Sequence, residues 1–277
     1  MDNNVNFCCL RQVNVTPFLI GQNQPRVKGE FAVTMNRDQT HVDGEFETIK
    51  FDELRKPYYD GLSKIKELGY TAEDYIHHFP CFTGHLSMAR FFSLYESYRK
   101  TLGIAGHIAD VGVYKGASLL YFAKLTKIFE ATALTQVHGF DWFQGNKPDS
   151  TIEPDILVGS STESFERVDA LVKAQSLQNI VRLHALDLTK DLDAFFNKNS
   201  HLQFRMVFMD TGTFEVVRTA LPFFWERLTK GGMLIFDQFN FEIAPGETKA
   251  VVDFFTDKDV QIKTFPNGWM PTAYVEK

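Results

Sequence analysis

The chain has 277 residues and a formal net charge of −6, enough for one large α/β domain or for an ordinary domain with an N-terminal extension. Lys and Arg are scattered rather than gathered into a stripe that could follow a phosphate backbone, which argues against nucleic acid as a partner. No apolar run reaches the length of a membrane span and Met1-Asp2-Asn3-Asn4 lacks a secretory signal's charged and apolar regions, so the expectation is a cytoplasmic protein with no membrane partner.

In chain order, residues 26–47 form a polar stretch that could turn as a hairpin around Val42-Asp43-Gly44-Glu45. Helical patterns follow at 58–68, 72–77 and 86–102. Residues 1–103 are thus expected to be an extension carrying a helical cap over the active edge of the next domain, or else a plain packing extension. Cys8, Cys9 and Cys81 are odd in number and lack the paired spacing of a zinc site, which fits structural thiols in a reducing compartment. Most of the 27 Phe are expected to be core.

From Ile108 onward short apolar runs alternate with amphipathic ones. Strands are predicted at 108–113, 136–140, 180–186, 205–209, 233–236, 260–265 and 272–275, with helices at 117–129, 161–175, 215–228 and 248–256. This rhythm predicts a mostly parallel sheet with helical crossovers over residues 104–277. Between the last two runs stands only Pro266-Asn267-Gly268-Trp269-Met270-Pro271, too short for a crossover helix, so the final strand should run antiparallel.

In an open α/β sheet the ligand lies beyond the carboxyl ends of the strands, where the strand order reverses. Three segments belong there. Asp110-Val111-Gly112-Val113-Tyr114-Lys115-Gly116-Ala117-Ser118 leads from the first strand into a helix, and Gly112 and Gly116 permit a tight turn close to a ligand. The middle glycine of the dinucleotide pattern Gly-x-Gly-x-x-Gly is missing, which argues against a nicotinamide enzyme. Asp141, followed by Trp142, ends the second strand 29 positions after Gly112, near the spacing of a carboxylate that holds ribose hydroxyls. Asp187 ends the third strand and could meet an adenine amino group. Each Asp taken singly reads equally well as a helix cap. Taken together, the three strand ends match an adenosyl-binding site, with Asp110, Gly112, Tyr114, Gly116, Ser118, Asp141, Trp142 and Asp187 as the candidate contacts.

With those residues in place, the sequence resembles class I S-adenosylmethionine-dependent methyltransferases and, within them, the macrocin O-methyltransferase family, which modifies sugars in macrolide and aminocoumarin biosynthesis. The resemblance spans roughly residues 84–275. It rests on Gly112-Val113-Tyr114-Lys115-Gly116-Ala117, on Phe140-Asp141-Trp142-Phe143-Gln144-Gly145, on Met209-Asp210-Thr211-Gly212-Thr213-Phe214-Glu215, and on Leu228-Thr229-Lys230-Gly231-Gly232 running on to Phe236-Asp237-Gln238-Phe239. It implies a Rossmann-like fold with a seven-stranded, mostly parallel sheet whose last strand is antiparallel, and S-adenosylmethionine as cofactor. It also implies a sugar or glycoside hydroxyl as acceptor and a homo-oligomer as one form of assembly.

In the family the first acid of an Asp-x-Asp pair and both acids of an Asp-Asp pair hold a divalent ion, usually magnesium, beside the acceptor. Here the second acid of each pair is replaced, by Gly212 and by Gln238. The resemblance leaves Asp210, Asp237 and Gln238 as ligands of a weakened Mg2+ site, with Asp210 doubling as catalytic base. Two readings stay open beside metal-assisted O-methylation: metal-independent O- or N-methylation of a small molecule, and an adenosyl-binding partner protein without turnover.

Overall fold

The computed structural model describes residues 52–266 and 269–277. The hairpin expected around Val42 to Glu45 lies outside the described residues, as do Cys8 and Cys9. Three helices precede the sheet: α1 (Asp52–Glu67), α2 (Ala72–His77) and, after a 3-10 turn at Phe79–Cys81, α3 (His85–Thr101). Though short, α2 starts on a reciprocal cap, in which Thr71 Oγ1 accepts the Asp74 N–H at 3.3 Å and Asp74 Oδ2 accepts the Thr71 N–H at 2.9 Å. Cys81 is exposed, so it is not the packed structural thiol expected.

Seven strands then alternate with helices: β1 (His107–Val111), α4 (Ala117–Phe129), β2 (Val137–Asp141), α5 (Phe165–Ala174), β3 (Val181–Ala185), α6 (Leu192–Lys198) and β4 (Phe204–Met209). They are followed by α7 (Phe214–Arg227), β5 (Leu228–Phe236), α8 (Pro245–Phe255), β6 (Lys263–Thr264) and β7 (Ala273–Glu276). The strand order is β3-β2-β1-β4-β5-β7-β6. The first five strands pair in parallel, and β7 runs antiparallel to both β5 and β6. This is the Rossmann-like fold of class I methyltransferases. Among the described residues no helix is long and apolar enough to cross a membrane.

Strand side chains alternate between the two faces of the sheet and feed two cores. Ala109, Val111, Val207 and Met209 pack on one side with Leu192 and Phe196 of α6, Leu221 and Phe224 of α7 and Val251 of α8. Ile108, Met206 and Phe208 pack on the other with Leu119 and Phe122 of α4, Val168 of α5, and Leu94 and Tyr98 of α3. The last two place α3 inside the core rather than upon it. Arg205 on β4, almost wholly buried, reinforces this seat with a bidentate pair to Glu130 at 2.7 and 2.6 Å, and Tyr98 donates to the same carboxylate at 2.5 Å.

The strand order reverses between β1 and β4, and the register decides what meets there. Val111 pairs with Met209, and Met209 with Phe236, so Asp210 and Asp237 each follow a paired residue and stand side by side.

Candidate functional site

The turn after β1 brings two chain segments into contact. Gly112 has φ +97°, and a Cβ there would lie 2.0 Å from the Asp210 carbonyl oxygen, so only glycine lets β1 and β4 exit this close together. Gly116, also at positive φ, caps the start of α4. Between them Tyr114 is at φ 48°, and its N–H donates to Asp141 Oδ2 at 3.0 Å.

Asp110 is fully buried. Its Oδ2 accepts the Ser118 hydroxyl at 3.0 Å, while Oδ1 has no hydrogen-bond partner among the described residues. Burial, with the charge of Asp210 adding to it, pushes this carboxyl well above the usual carboxylate range. A buried acceptor left open at the site is a feature a cationic or N–H-bearing ligand group would satisfy.

Asp141 accepts two backbone N–H groups, from Tyr114 and from Phe143 at 2.7 Å, and so ties the glycine turn to the end of β2. Trp142 is oriented by its indole N–H, which donates to the Gly145 carbonyl at 2.7 Å. Asp187 takes the Thr189 hydroxyl at 2.6 Å and N–H at 3.0 Å on one oxygen and Lys190 Nζ at 2.6 Å on the other. Burial opposes the charge of Asp187, but Lys190 and Thr189 outweigh it and hold the carboxyl below its ordinary value. Asp187 therefore closes a turn ahead of α6, whose N-cap is Asp191, and also reaches the cavity.

That cavity, of about 420 Å³, is lined by Gly112, Tyr114, Asp141, Trp142, Asp187 and Asp210. Its volume suits a drug-sized ligand. Asp110, Gly116 and Ser118 stand behind the wall, and Asp237 and Gln238 do not line it.

The sequence pattern did not reveal the segment that closes this cavity. Residues 142–164 run from β2 to α5 with no helix or strand, an unusual length for a plain connection. Gly145, Asn146 and Ser161 line the cavity, and Asn146 and Ser160 pair through backbone and side chain. Glu153, fully buried, accepts the N–H groups of Asp149 and Phe214 and so fastens this segment to the first turn of α7. Burial raises the Glu153 carboxyl above its usual range.

At the ends of β4 and β5 the two acids expected as metal ligands meet a basic side chain. Arg90 of α3 spans the two acids: Nη1 donates to Asp237 Oδ1 at 2.5 Å and Nη2 to Asp210 Oδ2 at 2.7 Å. Burial works against the Arg90 charge, yet Asp237 and Asp210 outweigh it and raise its pKa further. Gln238 does not complete a ligand set, because its Oε1 is buried over Gly212, where a Cβ would lie 2.2 Å away. Among the described residues no group of three or more His, Cys, Asp or Glu is placed to hold an ion. The two carboxylates thus come together at the strand ends, bridged by the Arg90 guanidinium.

Glu247, in the first turn of α8, is a further missed residue. It is fully buried, and its Oε1 accepts the Gln238 N–H at 2.6 Å, which fixes the turn that carries Asp237. Burial pushes the Glu247 carboxyl well above the usual range, with the charges of Asp237 and Asp210 adding to it.

Residues 109–239, just under half of the chain, match the family described as a methyltransferase domain. No curated protein sequence matches the chain. Among solved structures, CalS11, described as a calicheamicin methyltransferase, superposes with a TM-score of 0.71 at 20% identity, covering 80% of this chain and 91% of that one. Its apo structure, described as a TDP-rhamnose 3'-O-methyltransferase, gives 0.65 at 21% identity over 80% and 93% of the two chains. The O-methyltransferase NovP gives 0.57 at 16% identity over 68% and 79%. At such identities the likeness is one of fold. The fold and the domain match together define an S-adenosylmethionine-dependent methyltransferase.

Proposed function

We propose that this chain methylates a hydroxyl of a sugar or glycoside, using S-adenosylmethionine. The observation that carries the reading is a single cavity in which the glycine turn, Asp141 and Asp187 face the same space as Asp210. The neighbours described as a TDP-rhamnose 3'-O-methyltransferase and an O-methyltransferase supply the acceptor class.

Each residue has a task in this reading. Gly112 and Tyr114, backed by the open Oδ1 of buried Asp110, hold the methionine end; Gly116 and Ser118 shape that turn and keep Asp110 in place. Asp141 accepts the ribose hydroxyls, and Trp142 and Asp187 border the adenine. When bound, S-adenosylmethionine supplies a methyl group on a sulfonium, which the acceptor oxygen displaces in line while the C–S electron pair stays on sulfur. Asp210, at the cavity wall, receives the hydroxyl proton as general base. On the side away from the cavity, α3 holds Asp210 through Arg90.

The test is S-adenosylhomocysteine formation across a panel of nucleotide-linked sugars and glycosides, beside calorimetric titration with S-adenosylmethionine. Turnover with at least one sugar hydroxyl is expected. Binding of S-adenosylmethionine with no product from any sugar would remove the acceptor class. Tight NADH binding with none of S-adenosylmethionine would overturn the whole reading.

A further inference from the structure

The ion that the family resemblance implies does not fit the donor set of this chain. A divalent magnesium-like ion takes oxygen ligands that are free to approach it and carry negative charge. Here one oxygen of Asp210 and one of Asp237 are bound to the same guanidinium, at 2.7 and 2.5 Å. Two carboxylates less one arginine leave a single formal negative charge for any ion. The third candidate ligand is a neutral amide.

The two departures from the family pattern are also a single exchange. A Cβ on Gly212 would fall 2.2 Å from Gln238 Oε1 and 3.1 Å from its amide carbon, so the Gln238 side chain fills the volume that an acid at position 212 would need. An acid at 212 and Gln at 238 exclude each other in this conformation. Asp210 and Asp237 stand side by side at the strand ends, and Arg90 is built to bridge them. It stands on α3, whose Leu94 and Tyr98 are fully buried, its guanidinium carbon lies 5.4 Å from the centre of the Phe208 ring, and its side chain is 22% exposed. A planar fork with fixed donors can bridge two strand ends as an ion would, and it cannot dissociate.

We infer that Arg90 is the resident cation of this site and that the chain performs its chemistry without a divalent metal. The inference rests on the methyltransferase reading above. In it Arg90 is a positioning residue: it holds the Asp210 carboxylate toward the acceptor and neutralises Asp237.

The test is binding of Mn2+ alone to the full chain, read by electron paramagnetic resonance. Because no turnover is read, its failure is distinct from failure of the sugar reading. In the unaltered protein Mn2+ should remain free at millimolar concentration. Arg90→Met, which keeps the stem and removes the charge, should raise Mn2+ affinity by roughly tenfold or more, since the repulsion between fixed and added cation is gone. One Mn2+ bound per unaltered chain, and lost in Asp237→Asn, would overturn the inference. So would a folded Arg90→Met with no gain. The unaltered protein decides the matter even if that variant does not fold.

Discussion

Gly212→Ala probes the contact on which the metal argument turns. Gly212 has φ +64°, where a side chain costs about 1 kcal/mol in backbone strain alone. The new Cβ would meet Gln238 Oε1 at 2.2 Å, and such overpacking costs about 1–3 kcal/mol more. Gln238→Ala alone should cost under about 1 kcal/mol, because the amide oxygen it deletes is buried without a partner. In the double variant the clash disappears and only the strain stays. The cycle should therefore show a favourable coupling of roughly 1–3 kcal/mol, with the double variant more stable than Gly212→Ala. Urea unfolding of the four proteins measures it, provided the slopes with denaturant agree. Additive effects within about 0.5 kcal/mol would mean that the amide is not seated on Gly212. The exchange of two acids for Gly212 and Gln238 would then have no steric basis.

Three further outcomes follow from the same geometry. Asp141→Ala removes the acceptor of the Tyr114 and Phe143 N–H groups; calorimetry should show S-adenosylmethionine affinity reduced about tenfold or more with the circular dichroism spectrum retained, and unchanged affinity would take Asp141 out of the site. Asp210→Asn should abolish turnover while cofactor affinity stays near that of the unaltered chain, and retained activity would refute its role as base. Acid should destabilise the protein through His138 and His184, whose rings stack and meet at 3.0 Å. Burial comes first among the causes that depress them, to about 3 and about 4, with His184 and His107 adding for His138 and Arg182 for both. Because the folded values lie below the unfolded one near 6.5, the unfolded chain binds more protons as pH falls through that value, and stability declines. The loss between pH 6.5 and 5 should be about 2 kcal/mol per ring. His138→Phe should flatten this slope, and a flat profile in the unaltered protein would sink the argument.

Much of the fold was legible because its strands are short apolar runs closed by acids. The helix expected at 117–129 is α4, with Gly116 before it and an apolar face that fills one core. The antiparallel ending followed from the shortness of the segment between the last two apolar runs. What was missed has identifiable causes. Helix α6 is seven residues long, too short to establish a period, and is held by Leu192 and Phe196 in the core. Strand β5 begins at Leu228 rather than near Met233, because Lys230-Gly231-Gly232 reads as a turn yet continues the strand, with the Gly231 N–H donating to the Lys277 carbonyl at 2.7 Å. At 260–265 only Lys263–Thr264 pair.

The site was legible to the extent that it consists of strand ends. Asp110, Asp141, Asp187, Asp210 and Asp237 could be placed because strand register brings their neighbours together across the sheet. Arg90 could not, since its partners lie 120 and 147 positions away and nothing local marks it. One signal was available. Two acids on adjacent parallel strand ends lie about 4.8 Å apart and repel unless a cation lies between them. Once Gly212 and Gln238 had weakened the case for an ion, a basic side chain from elsewhere in the chain became the candidate to look for.

The Arg90 bridge changes how the N-terminal helices relate to the rest. An expected boundary at 103/104 separates a cap from a cofactor domain, but α3 contributes to both. Along one face it places Leu94 and Tyr98 in the core, and Tyr98 shares Glu130 with the buried Arg205. Two turns earlier it delivers Arg90 to Asp210 and Asp237. A cut at 103/104 would expose apolar core surface and leave Asp237, almost fully buried, without its counter-charge, a loss on the order of 3–5 kcal/mol for a broken buried pair. The helix that bears the site's cation is therefore also a structural element of the sheet domain, and the position of Arg90 is set by core packing rather than by a loop.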